Sequence, residues 1–374
     1  MTHSLNNLFK AQFMGVFNDN LLKNLICFIS IYWAPTENKA LIISAASITM
    51  VMPYIFLSPL AGSLAQKYSN ARIFQLAKLF EIPIMLLAFW GFINNNVFIV
   101  LITMLLMGIQ SSLYSPAKYG LIKEISNGEE LSKHIGKMEM LSFCGVLGAG
   151  TMAGFIADLN NYQLSLIGFL LIGLSLLGWK YSLSLNFKSY NYETQERQLN
   201  PLKYFKTNFS LAQKIGGINL AVVGLGSFWF IGSLLQMTLV VHCPEILGMS
   251  FSATGLVSAI AALGIGLGCW ASGYSMRKRL EVGTIFFAGI GMSVTSYALL
   301  FTNNEYVFTL LIFIIAFCGG LFKIPLNSWI QERTPTKHLS NMLAYSNMIV
   351  FLFILLSRSE EHTSELQSPD HLVC

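Results

Sequence analysis

Charge is what this chain most lacks. Of its 374 residues only 11% are Asp, Glu, Lys or Arg, against roughly 25% in an ordinary soluble domain. Hydrophobic residues make up 54% and the mean hydropathy is +0.59. A soluble fold has no way to cover so much apolar surface with so few charges, which excludes soluble enzymes, nucleic-acid binders and secreted disulfide scaffolds. Ordered cysteine spacing is missing as well. The six cysteines form no C-x-x-C and the six histidines no ligand spacing, so no metal and no other cofactor is expected. There is no Walker A sequence, which excludes an ATP-driven pump by itself. There is no His-x4-Asp pair either, His134 being followed at that spacing by Glu139, and the chain is expected not to be an enzyme. Nor is a removable signal expected: the first apolar run contains Asn18, Asp19, Asn20 and Lys23, and no small-residue cleavage site follows.

What the chain does have is long apolar runs. A spanning helix needs about 20 mostly apolar residues, and eleven such runs are present. They cover residues 11–33, 40–65, 73–93, 97–122, 138–159, 162–181, 215–242, 251–274, 282–302, 306–330 and 339–356. Eighteen Lys and Arg flank alternate connections on one side. They are Lys10; Lys67, Arg72 and Lys78; Lys123, Lys133 and Lys137; six from Lys180 to Lys214; Arg277, Lys278 and Arg279; and Arg333 and Lys337. The other side has Lys39 alone. The positive-inside rule then places the N-terminus and these connections in the cytoplasm.

The expected architecture is an all-α polytopic membrane protein of six plus six helices, with the last helix or so missing and about eleven spans present. Residues 1–183 form an N-terminal six-helix bundle, 184–213 a cytoplasmic connecting loop, and 214–357 a C-terminal bundle truncated in span 11. The halves resemble each other where a fourth span ends. Leu113-Tyr-Ser-Pro116-Ala-Lys118 leads to Glu124, as Leu321-Phe-Lys-Ile-Pro325-Leu-Asn327 leads to Glu332. Such a repeat is the internal symmetry of rocking two-bundle transporters. Residues 358–374 are polar and acidic without helical apolar period. They look like a translated sequencing adapter, and are expected to be a non-native tail.

Charges inside a bilayer cost several kcal/mol each, so intramembrane ionisable groups are candidate sites. Asp19 and Lys23, four apart near the middle of span 1, share one helix face in pairing register. Lys118 follows Pro116 near the inner end of span 4, where it either snorkels to the headgroups or serves the cavity, and Glu139, near the start of span 5, is either its partner or an ordinary interfacial acid. Lys323 lies deeper in span 10, Gln236 sits in span 7 as either a hydrogen-bond donor to substrate or a helix–helix contact, and Glu81 before Pro83 satisfies local packing. Where these groups face one cavity, three lysines (23, 118, 323) against two acids (19, 139) favour a substrate with an anionic group such as a phosphate. Gly264-x-Gly266-x-Gly268 and Gly150-x-x-x-Gly154 lie inside spans and are expected to let helices approach.

Gly62-Ser-Leu-Ala-Gln66-Lys67-Tyr-Ser-Asn-Ala71-Arg72 resembles the loop 2–3 motif of the major facilitator superfamily, with Gln66 where Asp is usual and Ala71 where Gly is usual. The resemblance implies the major facilitator fold and a conformational role for Gly62, Lys67 and Arg72. Tyr114-Ser-Pro-Ala-Lys-Tyr-Gly120, Gly319-Gly-Leu-Phe-Lys-Ile-Pro-Leu-Asn327 with Gln331-Glu332-Arg333, and Phe17-Asn-Asp-Asn20 resemble the bacterial lysophospholipid transporter family, in order and spacing across residues 8–356. That implies movement of lysophospholipids, chiefly lysophosphatidylethanolamine, across the bacterial inner membrane for reacylation by a cytoplasmic acyltransferase. Relatives stand alone or are fused to acyltransferase and acyl-carrier-protein ligase domains. By motif position Asp19, Lys118 and Glu139 match the family's polar residues. Gln236 falls where stand-alone members carry Arg, and with Phe228-Trp-Phe230 looks closer to the fused branch. Two alternatives stand beside this reading. One is a proton-coupled exporter of amphipathic small molecules with Asp19 or Glu139 titrating; the other is the membrane module of a fused acyltransferase.

Overall fold

The computed structural model describes residues 2–33, 39–126, 130–157, 164–185, 199–276 and 283–366. These form helices α1 (Thr2–Trp33), α2 (Lys39–Phe56), α3 (Ser58–Lys67), α4 (Asn70–Ile93), α5 (Val97–Ile125), α6 (Leu131–Ala157) and α7 (Leu164–Ser182). The second half has α8 (Pro201–Ile215), α9 (Ile218–Glu245), α10 (Phe251–Ser275), α11 (Gly283–Ala298), α12 (Glu305–Arg333) and α13 (Thr336–Leu366). There is no strand among the described residues. Polar caps start the helices where the apolar runs begin. Ser69 Oγ accepts from the Arg72 N–H, Asn96 Oδ1 from Ile99, Ser250 Oγ from Ala253 and Asn304 Oδ1 from Tyr306 and Val307.

Among the described residues each of the eleven expected spans is helical, the second as two helices, α2 and α3. Seven helices among the described residues are long and apolar enough to cross a membrane, and α2 with α3 adds an eighth as a pair bent by 57°. That break follows from the chain: Pro59 enters α3 without an N–H to continue the α2 ladder. Phe80, Phe98, Phe155, Phe287 and Leu300 point outward and exposed, a surface suited to lipid and not to water. The chain is thus a multi-pass membrane protein.

Three features depart from the linear reading. The connection between the halves contains a helix, α8, rather than loop alone. Lys78 is not a connection charge: eight residues into α4, about 12 Å, it is 1% exposed. And α13 continues to Leu366, ten residues past the expected end of the span, because no Gly or Pro interrupts it before Pro369. Residues 367–374 lie outside the described residues, as do Arg277, Lys278 and Arg279.

The packing repeats between halves. In the first, α4 lies on α5 and α1 on α6, and α2 packs along α5; in the second, α11 lies on α12, α9 on α13 and α10 along α12. The halves meet where α6 packs on α10 and where α2 and α3 pack on α13. Counting the bent pair as one span and matching spans six apart makes these two contacts images of each other. Glycines set the closest approaches. A Cβ on Gly264 would stand 2.8 Å from the Phe313 carbonyl oxygen of α12, and one on Gly273 would stand 2.7 Å from the Ser132 carbonyl oxygen of α6. Gly150 has only ordinary contact with Asn24, 3.6 Å away.

Candidate functional site

Two clusters of buried charge lie inside the bundle, and the first joins its halves. Lys323 stands ten residues before the end of α12, about 15 Å deep. Its Nζ donates to Glu139 Oε2 on α6 at 2.6 Å, and the Tyr119 hydroxyl of α5 donates to Glu139 Oε1 at 2.5 Å. Lys323 and Glu139 are 3% and 5% exposed. The ammonium is enclosed by rings, with centroids at 4.7 Å for Trp229, 5.1 Å for Phe143 and 5.9 Å for Phe228. A buried pair survives only when its remaining capacity is met, and here the phenol and the ring faces meet it. Lys118, one residue before Tyr119, stands 4.7 Å over that ring. Glu139, Lys323, Lys78 and Asp19 are within its electrostatic reach.

The second cluster lies within the first half. Lys78 Nζ donates to Glu81 Oε2 at 2.7 Å, and Asn18 Nδ2 of α1 donates to Glu81 Oε1 at 2.8 Å. All three residues are buried. Gly15 makes this possible, because a Cβ there would overlap the Lys78 ammonium. Asp19 accepts a hydrogen bond from Ser111 Oγ on α5 at 3.2 Å and has Glu81, Lys78 and Lys118 within electrostatic reach. The two clusters therefore form one band of charge, from Lys78 and Glu81 through Asp19 and Lys118 to Glu139 and Lys323.

The structure redistributes several expected partnerships. Asp19 takes Ser111 and not Lys23, which is half-buried on α1. Glu139 takes Lys323 from the other half instead of the nearer-in-sequence Lys118. Glu81 does satisfy local packing, through Lys78. Gln236 is exposed on α9, seven residues beyond Trp229, and makes no hydrogen bond with a described residue. Reasoning from sequence missed Lys78 and the three rings around Lys323. A signal for the first existed, since Lys78 and Glu81 are three apart within a span and share a face. Because that pair is neutral, the surplus of one lysine over the acids is unchanged.

One end of the bundle is sealed between the halves. Gln66 Nε2 donates to the Lys337 carbonyl at 3.0 Å, Ser340 Oγ to the Ala65 carbonyl at 3.2 Å, and Lys123 Nζ to the carbonyls of Gln331 and Thr334, the latter at 3.0 Å. Deeper in, Asn347 Nδ2 donates to Ser115 Oγ at 2.8 Å and Tyr54 stacks on Phe351 at 3.8 Å. Gly62 is buried at this seal, where a Cβ would stand 2.6 Å from Asn341 Oδ1 of α13; Lys67 and Arg72 are exposed beside it. Gln66, in the position where Asp is usual, thus reaches from α3 to a backbone acceptor at the start of α13.

Comparison with known proteins fits this geometry. The family model described as Major Facilitator Superfamily matches residues 9–357. The Lysophospholipid transporter LplT of Pectobacterium carotovorum subsp. carotovorum (strain PC1) is 29% identical over 347 residues, 89% of this chain and 79% of that protein. The protein of the same name from Photorhabdus laumondii subsp. laumondii is 26% identical over 344 residues, 89% and 81% of the two chains. Among solved structures, a bacterial homologue of the iron transporter ferroportin in its outward-facing state superposes with a TM-score of 0.74 at 14% identity, covering 96% of this chain and 92% of that one. The E. coli fucose:proton symporter gives 0.74 at 12% identity, covering 97% and 92%. At such identities these structures establish the fold alone.

Proposed function

The chain belongs to the major facilitator superfamily, and from that premise we propose that it carries lysophospholipids across the bacterial inner membrane by alternating access. The observation that carries the reading is the band of buried and half-buried charge joining the halves, in a chain similar over 89% of its length to proteins named for lysophospholipid transport. Lys118, Lys323 and Lys23 offer ammonium groups to the phosphate; Asp19 and Glu139 offer carboxylates to a cationic headgroup such as ethanolamine. Gln236 supplies a further donor on the path, and the apolar walls suit the acyl chain. A phosphate that competes for Lys323 weakens the ion pair between the halves, which ties binding to their rocking.

In this proposal the positively charged connections face the cytoplasm, so the sealed end is cytoplasmic and Gly62, Lys67 and Arg72 belong to its seal. The delivered lysolipid is then the acceptor for a cytoplasmic acyltransferase, whether separate or fused. The test is uptake of lysophosphatidylethanolamine into proteoliposomes holding the purified full chain. Protein-dependent uptake that persists when the proton gradient is collapsed supports facilitated movement. Uptake that stops on collapse would support the proton-coupled exporter, and no uptake would overturn the reading.

A further inference from the structure

Helix α8 takes no part in the charged band. Asn200 caps it by accepting from the N–H groups of Leu202 and Lys203, and Pro201 opens its first turn. A stripe at four-residue spacing, Tyr204, Asn208 and Ala212, is buried against α9, α13 and α3. The Tyr204 hydroxyl donates to the Asn341 carbonyl of α13 at 2.8 Å. The opposite face is divided. At 100° per residue, Leu202 and Phe209 fall on one flank, Lys203 and Lys214 on the other, and Lys206 between them. All five are exposed, Leu202 by 74%.

We propose that this face is a docking surface for anionic phospholipid headgroups of the membrane in which the chain sits. The charge is of one sign: no Asp or Glu occurs between Arg197 and Pro244, and the three lysines make no ion pair with a described residue. The apolar flank has two side chains, too little for a protein interface but suited to the boundary between headgroups and acyl chains. The position also fits. α8 lies between the end of α7 and the start of α9, at the end of the bundle where the chain concentrates its lysines and arginines. There the basic flank meets headgroups while Leu202 and Phe209 dip beneath them. Because Tyr204 lies against both α3 and α13, lipid held by α8 braces the sealed end.

The experiment is thermal unfolding of the purified full chain in detergent, with added phosphatidylglycerol or phosphatidylcholine. Phosphatidylglycerol should raise the Tm by about 2 °C or more beyond phosphatidylcholine, and 0.5 M salt should abolish the difference. Lys203→Gln/Lys206→Gln/Lys214→Gln should match the unsubstituted chain in phosphatidylcholine yet lose the phosphatidylglycerol increment, with Lys206→Gln alone losing part of it. Equal rises with both lipids, or an increment that survives the triple substitution, would overturn the proposal.

Discussion

Glu139 and Lys323 sit 184 residues apart in sequence and 2.6 Å apart in space. Breaking one side of such a pair strands a charge in a low-dielectric interior, which costs about 3 kcal/mol or more. Glu139→Gln and Lys323→Met should each lower the thermal stability of the purified chain. The double substitution should cost clearly less than the sum, since neither charge is then left alone; strict additivity in a double-mutant cycle would show the pair is not coupled. Gly15→Ala makes a second case at this scale. Its methyl would occupy the space of the Lys78 ammonium and force apart the Lys78–Glu81–Asn18 group, so unfolding should shift to lower temperature, while Gly173→Ala, with open space around its Cβ, should be tolerated. These partnerships were hidden in the sequence for a physical reason. A lysine near a helix end reads the same whether it snorkels to headgroups or turns inward, and long-range pairing leaves no local period. The residues themselves were legible, because a charge within an apolar run is costly wherever it points.

At the scale of the element, the sequence speaks more clearly. The eleven apolar runs appear as helices because span length is fixed by bilayer thickness and the ends carry caps such as Asn96 and Ser250. The glycine pattern 264–268 also behaves as expected: Gly264 faces a backbone carbonyl of α12. Gly264→Val should therefore push α10 off α12 and cost about 1–3 kcal/mol, measured as a lower unfolding temperature. An unchanged value would mean that the helices tolerate separation. Two elements were not legible as such. α8 has the alternating faces of a surface helix but lies in a polar stretch with too few apolar residues to register as a span. The extension of α13 past residue 356 follows backbone propensity and not apolar period, so a search for apolar runs ends too early.

Taken as two halves, the whole molecule makes its most extensive contacts between them as a symmetric pair, α6 on α10 and α2–α3 on α13, with α6 on α12 and α5 on α13 beside them. The seal at one end is made largely of side chains donating to backbone carbonyls of the other half, among them Lys123 and Gln66. Cysteines placed by Gln66→Cys and Lys337→Cys should crosslink readily, and Lys123→Ala in that background should reduce the yield as the halves spend less time sealed. Unchanged crosslinking would remove Lys123 from the seal. In the proposed function the band of charge handles the lysolipid headgroup, so removing one of its charges should slow transport. The measurement is the initial rate of lysophosphatidylethanolamine uptake into proteoliposomes for the unsubstituted chain, Asp19→Asn and Lys118→Ala, each checked for folding by its Tm. The expected result is a rate at least about tenfold lower in both variants, corresponding to about 1.4 kcal/mol of lost interaction. Folded variants that transport at the unsubstituted rate would contradict it.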